Sequence, residues 1–108
     1  MKIMNKEEIT QFELDTLELL KNVMDPEIEI NIVDLGLIYE LYYDGEKKIN
    51  IVMTFSTPAC PLGETIKTDI VETIKQKHPD FTTSIDVVFY PEWTTKMVSQ
   101  EGKRILGL

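Results

Sequence analysis

The 108-residue chain has one cysteine, Cys60, and one histidine, His78. A single cysteine excludes an intrachain disulfide, and no CxxC pair exists to hold zinc or to cycle redox. Small secreted domains usually carry paired cysteines, so this composition points to a reducing compartment. The chain is also short of positive charge: 11 Lys and Arg stand against 19 Asp and Glu, a net charge of −8. Such a surface repels phosphate, which argues against nucleic acid and against anionic membranes as partners. No uninterrupted apolar run approaches the ~20 residues a membrane helix needs. The opening MKIMNKEEITQF has no apolar core for a signal peptide. The expected location is therefore the cytoplasm.

The length predicts one domain spanning residues 1–108, and a chain of this size buries roughly 65% of its unfolded surface, enough for one real core. Asn5 and Glu8 have the spacing of a capping box. Behind them, six of the eight positions 9, 12, 13, 16, 17, 20, 23 and 24 are apolar, which predicts an amphipathic helix over about 6–24. Its solvated face carries Glu7, Glu8, Glu13, Asp15 and Glu18, and Asp25-Pro26 is expected to stop it. Residues 25–34 then read as a long acidic connection.

From Leu35 the period changes to two. Leu35, Leu37, Tyr39, Leu41 and Tyr43 share one side, Asp44-Gly45 is a hairpin signal, and Ile49, Ile51, Met53 and Phe55 alternate with polar or solvent-facing positions. A loop, Ser56 to Pro61, leads into a second helix near 61–78, marked by Leu62, Ile66, Ile70 and Ile74. Ile85, Val87 and Phe89 mark a third strand over about 84–89. Pro91-Glu92-Trp93 breaks it, and a short helix from Thr94 or Thr95 to about Leu106 follows, weakened by Gly102. The predicted architecture is α+β, in the order α-β-β-α-β-α, with a three-stranded mixed sheet and helices packed on one face.

The turn from Thr57 to Leu62 is the most informative place for chemistry, because ligands collect at the carboxyl ends of parallel strands. Pro61 suits the first helical position, which would put Cys60 near the N-cap, where free N–H groups and the helix dipole favour thiolate. The alternative is a buried cysteine serving as a small apolar side chain. His78 lies 18 residues further on, roughly 27 Å along a helix, too far for a Cys–His dyad. Asp25, Glu27, Glu29 and Asp34 are carboxylates that can complete a metal site or cap turns. Trp93 and Tyr90 read either as a partner surface or as ordinary packing.

Four segments, Asp25-Pro26-Glu27, Asn31 to Tyr39 (NIVDLGLIY), Thr57 to Pro61 (TPACP) and Pro91-Glu92-Trp93, occur in this order over about 70 residues. In them the chain resembles the iron–sulfur cluster assembly domain family, the SufT-like and PaaD-like small proteins. One departure is Glu92, where a second proline is common. The resemblance implies a compact α/β fold and a cytoplasmic accessory factor in iron–sulfur protein maturation, not an enzyme. It implies that Cys60 is the functional cysteine and metal-contacting group, with Ser56 and Thr57 as polar loop positions and Asp25 and Glu27 as pocket acids. The implied partners are the iron–sulfur assembly machinery and client apo-proteins. Clusters are normally held by about four thiolates, so one chain cannot hold one stably by cysteine alone. A transient cluster or iron, shared between two chains of a homodimer or with a partner, is the expected cargo. A protein–protein adaptor that binds no metal, and a cysteine-dependent transferase, are the competing classes.

Overall fold

The computed structural model describes residues 4–57 and 61–108. Helix α1 runs Lys6–Leu20 and opens on the expected capping box: Asn5 Oδ1 accepts from Glu8 N–H at 2.8 Å, and Glu8 Oε1 accepts from Asn5 N–H at 3.3 Å. Two satisfied donors fix where the helix begins.

The helix ends earlier than its apolar stripe suggests. Asn22 Nδ2 donates to Leu19 O at 2.9 Å and the chain turns out of the helix there. Met24–Asp25 (β1) then pairs antiparallel with Ile30–Asn31 (β2). Val23 remains in the core, but from non-helical backbone, and Met24 is 46% exposed. The 25–34 connection thus contains a tight two-stranded corner. Glu29 takes a left-handed φ of 63° to close it. Glu13 also departs from its expected solvated position, for its Oε2 accepts from Tyr43 N–H at 2.9 Å.

The hairpin forms as Ile38–Tyr43 (β3) and Lys48–Met53 (β4). Asp44 Oδ1 accepts from the N–H groups of Glu46 and Lys48, which holds the reversal, and Gly45 supplies a φ of 87°. β3 starts three residues after Leu35. Leu35 and Leu37 are fully buried, but ahead of the strand, Leu35 in turn backbone. A register shift between Ile38 and Glu40 marks an irregularity at Tyr39, which leaves the alternation and points its hydroxyl at the chain's C-terminal segment.

Helix α2, Gly63–Lys77, connects β4 to β5, Thr82–Val87, which pairs parallel with β4. β5 lies two residues earlier than the sequence pattern suggests, so Phe89 falls beyond it, 47% exposed. The sheet is mixed, in the order β3-β4-β5. Ile49, Ile51 and Met53 of β4 are fully buried against Leu20 of α1 and Ile66, Ile70 and Ile74 of α2. A 3-10 turn, Thr95–Met97, and helix α3, Gln100–Leu106, end the chain. Ser99 caps α3 by accepting from Gly102 N–H at 3.0 Å. Among the described residues no helix is long and apolar enough to cross a membrane.

Candidate functional site

The connection from β4 to α2 is built from both ends. Thr54, buried, donates its N–H to Leu37 O at 2.9 Å, and Val88 N–H reaches Met53 O at 2.8 Å. The strand end is thereby tied to its neighbours on both sides. Phe55 then lies over Gly63. A Cβ at Gly63 would stand 2.9 Å from the Phe55 ring, so glycine there lets the helix start close on the strand end. Ser56 is half-buried and Thr57 exposed.

Residues 58–60, and with them Cys60, lie outside the described residues. The flanking helix does correct one expectation. Helical hydrogen bonding begins with Ile66 N–H to Leu62 O, which makes Leu62 the N-cap and Gly63 the first helical residue. In sequence, Pro61 is one residue before the cap and Cys60 two. The register is decided by packing: Ile66, Ile70 and Ile74 must face the sheet while Gly63 meets Phe55. Leu62 provides no side-chain acceptor for the first turn.

The acids expected beside the cysteine have local roles. Asp25 is 3% exposed, and its Oδ1 accepts from the N–H groups of Glu27 at 2.9 Å and Ile28 at 3.3 Å, as a turn cap. Glu27 is exposed on that turn. Among the described residues no hydrogen bond or ion pair joins Asp25 or Glu27 to Ser56 or Thr57. Nor does any group of three or more His, Cys, Asp or Glu among them stand as a metal site.

Asp34 is a structural junction. It accepts from Asn31 Nδ2 at 2.7 Å and from Ser99 Oγ at 2.7 Å. Those two donors, Asn31 first, hold its carboxyl below the usual range against the opposing effect of burial. His78 stacks on Phe81, ring centroids 4.6 Å apart, and tilts against Phe12 at 5.1 Å. Burial there, with Lys77 adjacent, pushes its pKa down. It belongs to an aromatic cluster with Tyr43 at the far end of α2 from Gly63.

Reading the motifs separately misses that two of them form one unit. Trp93 Nε1 donates to Leu35 O, Tyr39 Oη donates to Pro91 O at 2.6 Å, and Ser99 N–H donates to Asp34 O at 2.7 Å. The Asn31–Tyr39 segment and the Pro91–Trp93 segment therefore hold each other. Beside them an apolar groove of about 650 Å³ runs between Ile38, Val52, Val88, Tyr90, Pro91 and Met97. Tyr90 is 89% exposed at its rim. The aromatic and proline content near position 90 was the one sequence signal for this surface.

Residues 14–87 match the family described as "Iron-sulfur cluster assembly protein". The chain is 35% identical over 100 residues to an "Fe-S protein maturation auxiliary factor" of Porphyromonas gingivalis, covering 93% of this chain and 95% of that protein. It is 38% identical over 87 residues to the Fe-S protein maturation auxiliary factor SufT of Staphylococcus aureus, covering 80% of this chain and 98% of that one. Its fold matches the crystal structure of a domain of unknown function from Bacillus anthracis with a TM-score of 0.90 at 30% identity, covering 96% of this chain and 99% of the other. With the family matched over most of its length and the fold in register, the chain belongs to the iron–sulfur cluster assembly protein family.

Proposed function

We propose that this chain is a cytoplasmic auxiliary factor in iron–sulfur protein maturation, and that Cys60 is the group that meets a cluster or iron in transit. The observation that carries the reading is a coincidence of position. The chain's one thiol falls on the connection that leaves the carboxyl end of β4, beside parallel β5. That is where open α/β sheets place their ligands. Ser56 and Thr57 supply hydroxyls on the same connection, and Asp25 and Glu27 are the acids that the reading assigns to its margin.

One thiolate leaves a cluster mostly unligated. The cluster is accordingly cargo, held jointly with the assembly machinery or with the apo-protein that receives it. Incomplete ligation suits transfer, because the bond set that holds the cargo is easily exchanged. No step requires acid–base catalysis by this chain. His78, the one imidazole, is committed to the aromatic cluster at the far end of α2.

The test is anaerobic. The chain is incubated with ferrous iron and sulfide, desalted, and mixed with an apo-ferredoxin whose cluster absorbance is followed. Faster cluster acquisition with the parent chain than with Cys60→Ser supports the reading. Equal rates for both refute the role of the thiol and favour an adaptor that works through the apolar groove.

A further inference from the structure

We infer that β5 is a dimerisation edge, on which a second copy of this chain adds its own β5 antiparallel to form a continuous six-stranded sheet. Thr82 N–H bonds Lys47 O and Val88 N–H bonds Met53 O, both at 2.8 Å. The even-numbered residues of β5 thus turn their backbone groups to β4. Thr83, Ile85 and Val87 turn theirs outward. Among the described residues these N–H and C=O groups meet no partner.

Exposed edges are normally guarded. The opposite edge of this sheet is: on β3, Glu13 accepts from Tyr43 N–H. β5, with the sequence TTSIDV, has neither proline nor lysine, and Asp86 is its sole charge. An antiparallel pair centred on Ile85 would set Ile85 against the partner's Ile85 and Thr83 against the partner's Val87. Every outward group of β5 would then be hydrogen-bonded.

The occupant is identified by charge. The groove beside β5 is lined along α2 by Glu64, Lys67, Thr68, Val71, Glu72 and Lys75. Two acids and two bases, of which Lys67 donates to Glu64 within the chain at 3.1 Å, make this face neutral on a chain of net charge −8. Their spacing is also self-complementary. Glu64 with Lys75, Lys67 with Glu72, and Thr68 with Val71 are each symmetric about one point, between Asp69 and Ile70. That point is at the middle of α2, which packs along the middle of β5.

Under a two-fold axis through Ile85 the two copies of α2 run antiparallel. Each Glu64 then approaches the partner's Lys75 and each Lys67 the partner's Glu72, which extends the intrachain Glu64–Lys67 pair into a network across the axis, and the neutral pair lies nearest the axis. A crossover helix lies over the strands it joins, so the two helices would be about two strand spacings, ~10 Å, apart, which is a packing distance. The Thr54–Thr57 segments that lead to Cys60 leave from opposite ends of the joined β5 strands. The two segments are therefore not brought together, and the dimer stands independently of the proposed cluster-handling role.

The experiment is light-scattering mass measurement on the full chain and on two charge-reversed variants. One carries Lys67→Glu with Lys75→Glu, the other Glu64→Lys with Glu72→Lys. The parent is expected at twice its chain mass of 12.5 kDa. Each variant alone is expected at the monomer mass with unchanged far-ultraviolet dichroism, and an equimolar mixture is expected to return to the dimer mass. A third variant, Thr83→Pro, removes an N–H that β4 does not use and is expected to be a folded monomer. A monomeric parent overturns the inference. So do charge-reversed variants that stay dimeric, or a mixture that stays monomeric.

Discussion

Trp93 donates its indole N–H to the main-chain carbonyl of Leu35 at 2.7 Å, across 58 residues of sequence. Leu35 is fully buried, so its carbonyl has little other recourse. This bond joins the two ends of the chain that flank the sheet. Phenylalanine at 93 keeps the ring and removes the donor. Trp93→Phe should lower unfolding free energy by about 1–3 kcal/mol, the cost of leaving a buried acceptor unpaired. Urea unfolding followed by dichroism measures it.

Gly36 makes the same junction possible from the other side. Its φ is 79°, and a Cβ there would lie 2.2 Å from the Met97 carbonyl oxygen. Gly36→Ala must strain the backbone and push away main chain rather than a flexible side-chain tip. The expected loss exceeds about 2 kcal/mol, well beyond the effect of an ordinary surface substitution. Thermal unfolding of the alanine variant checks it. A loss under half of that would mean the C-terminal segment is loosely attached.

Much of this was legible in the sequence where periodicity and burial agree. Ile49, Ile51 and Met53 alternate as a half-buried strand must, and Ile66, Ile70 and Ile74 recur at helical spacing, so β4 and α2 were evident. Val23 misled because a buried residue just past a helix extends its apolar stripe. Pro61 misled because helix register is decided by Ile66 and Gly63, packing against strands distant in sequence. The Trp93–Leu35 bond and the re-aimed Tyr39 are contacts between segments more than 50 residues apart. No local pattern encodes them. Of the candidate site, turn capping by Asp25 was legible as an acid at a turn, whereas the bond of Asp34 to Ser99, 65 residues away, has no local pattern.

His78 gives stability a pH dependence whose sign follows from its surroundings. Burial lowers its pKa in the folded chain. The unfolded chain therefore binds the proton more readily. Its stabilising effect is complete above the unfolded value of about 6.5 and is lost as pH falls through that value towards the folded one. Urea midpoints should rise with pH across this window for the parent, and should flatten in His78→Gln. A parent curve with no slope there would contradict the aromatic packing of the imidazole.

Asp34 acts in a more acidic window. Its carboxyl is held low by donation from Asn31 and Ser99. Its contribution is present above the unfolded value of about 3.9 and is lost as pH falls through the lower, folded value. Asp34→Asn should remove that part of the acid transition. It should also loosen α3, whose N-cap, Ser99, donates to the same carboxylate. Hydrogen exchange of the α3 amides reports the second effect.

The role given to Cys60 stands or falls with one substitution, Cys60→Ser, introduced into cells lacking the native protein, with the activity of an iron–sulfur enzyme and the thermal unfolding of the purified variant read together. The expected result is a variant that unfolds close to the parent's temperature and supports no maturation. A folded variant that restores full enzyme activity would contradict the proposal and make Cys60 a packing residue.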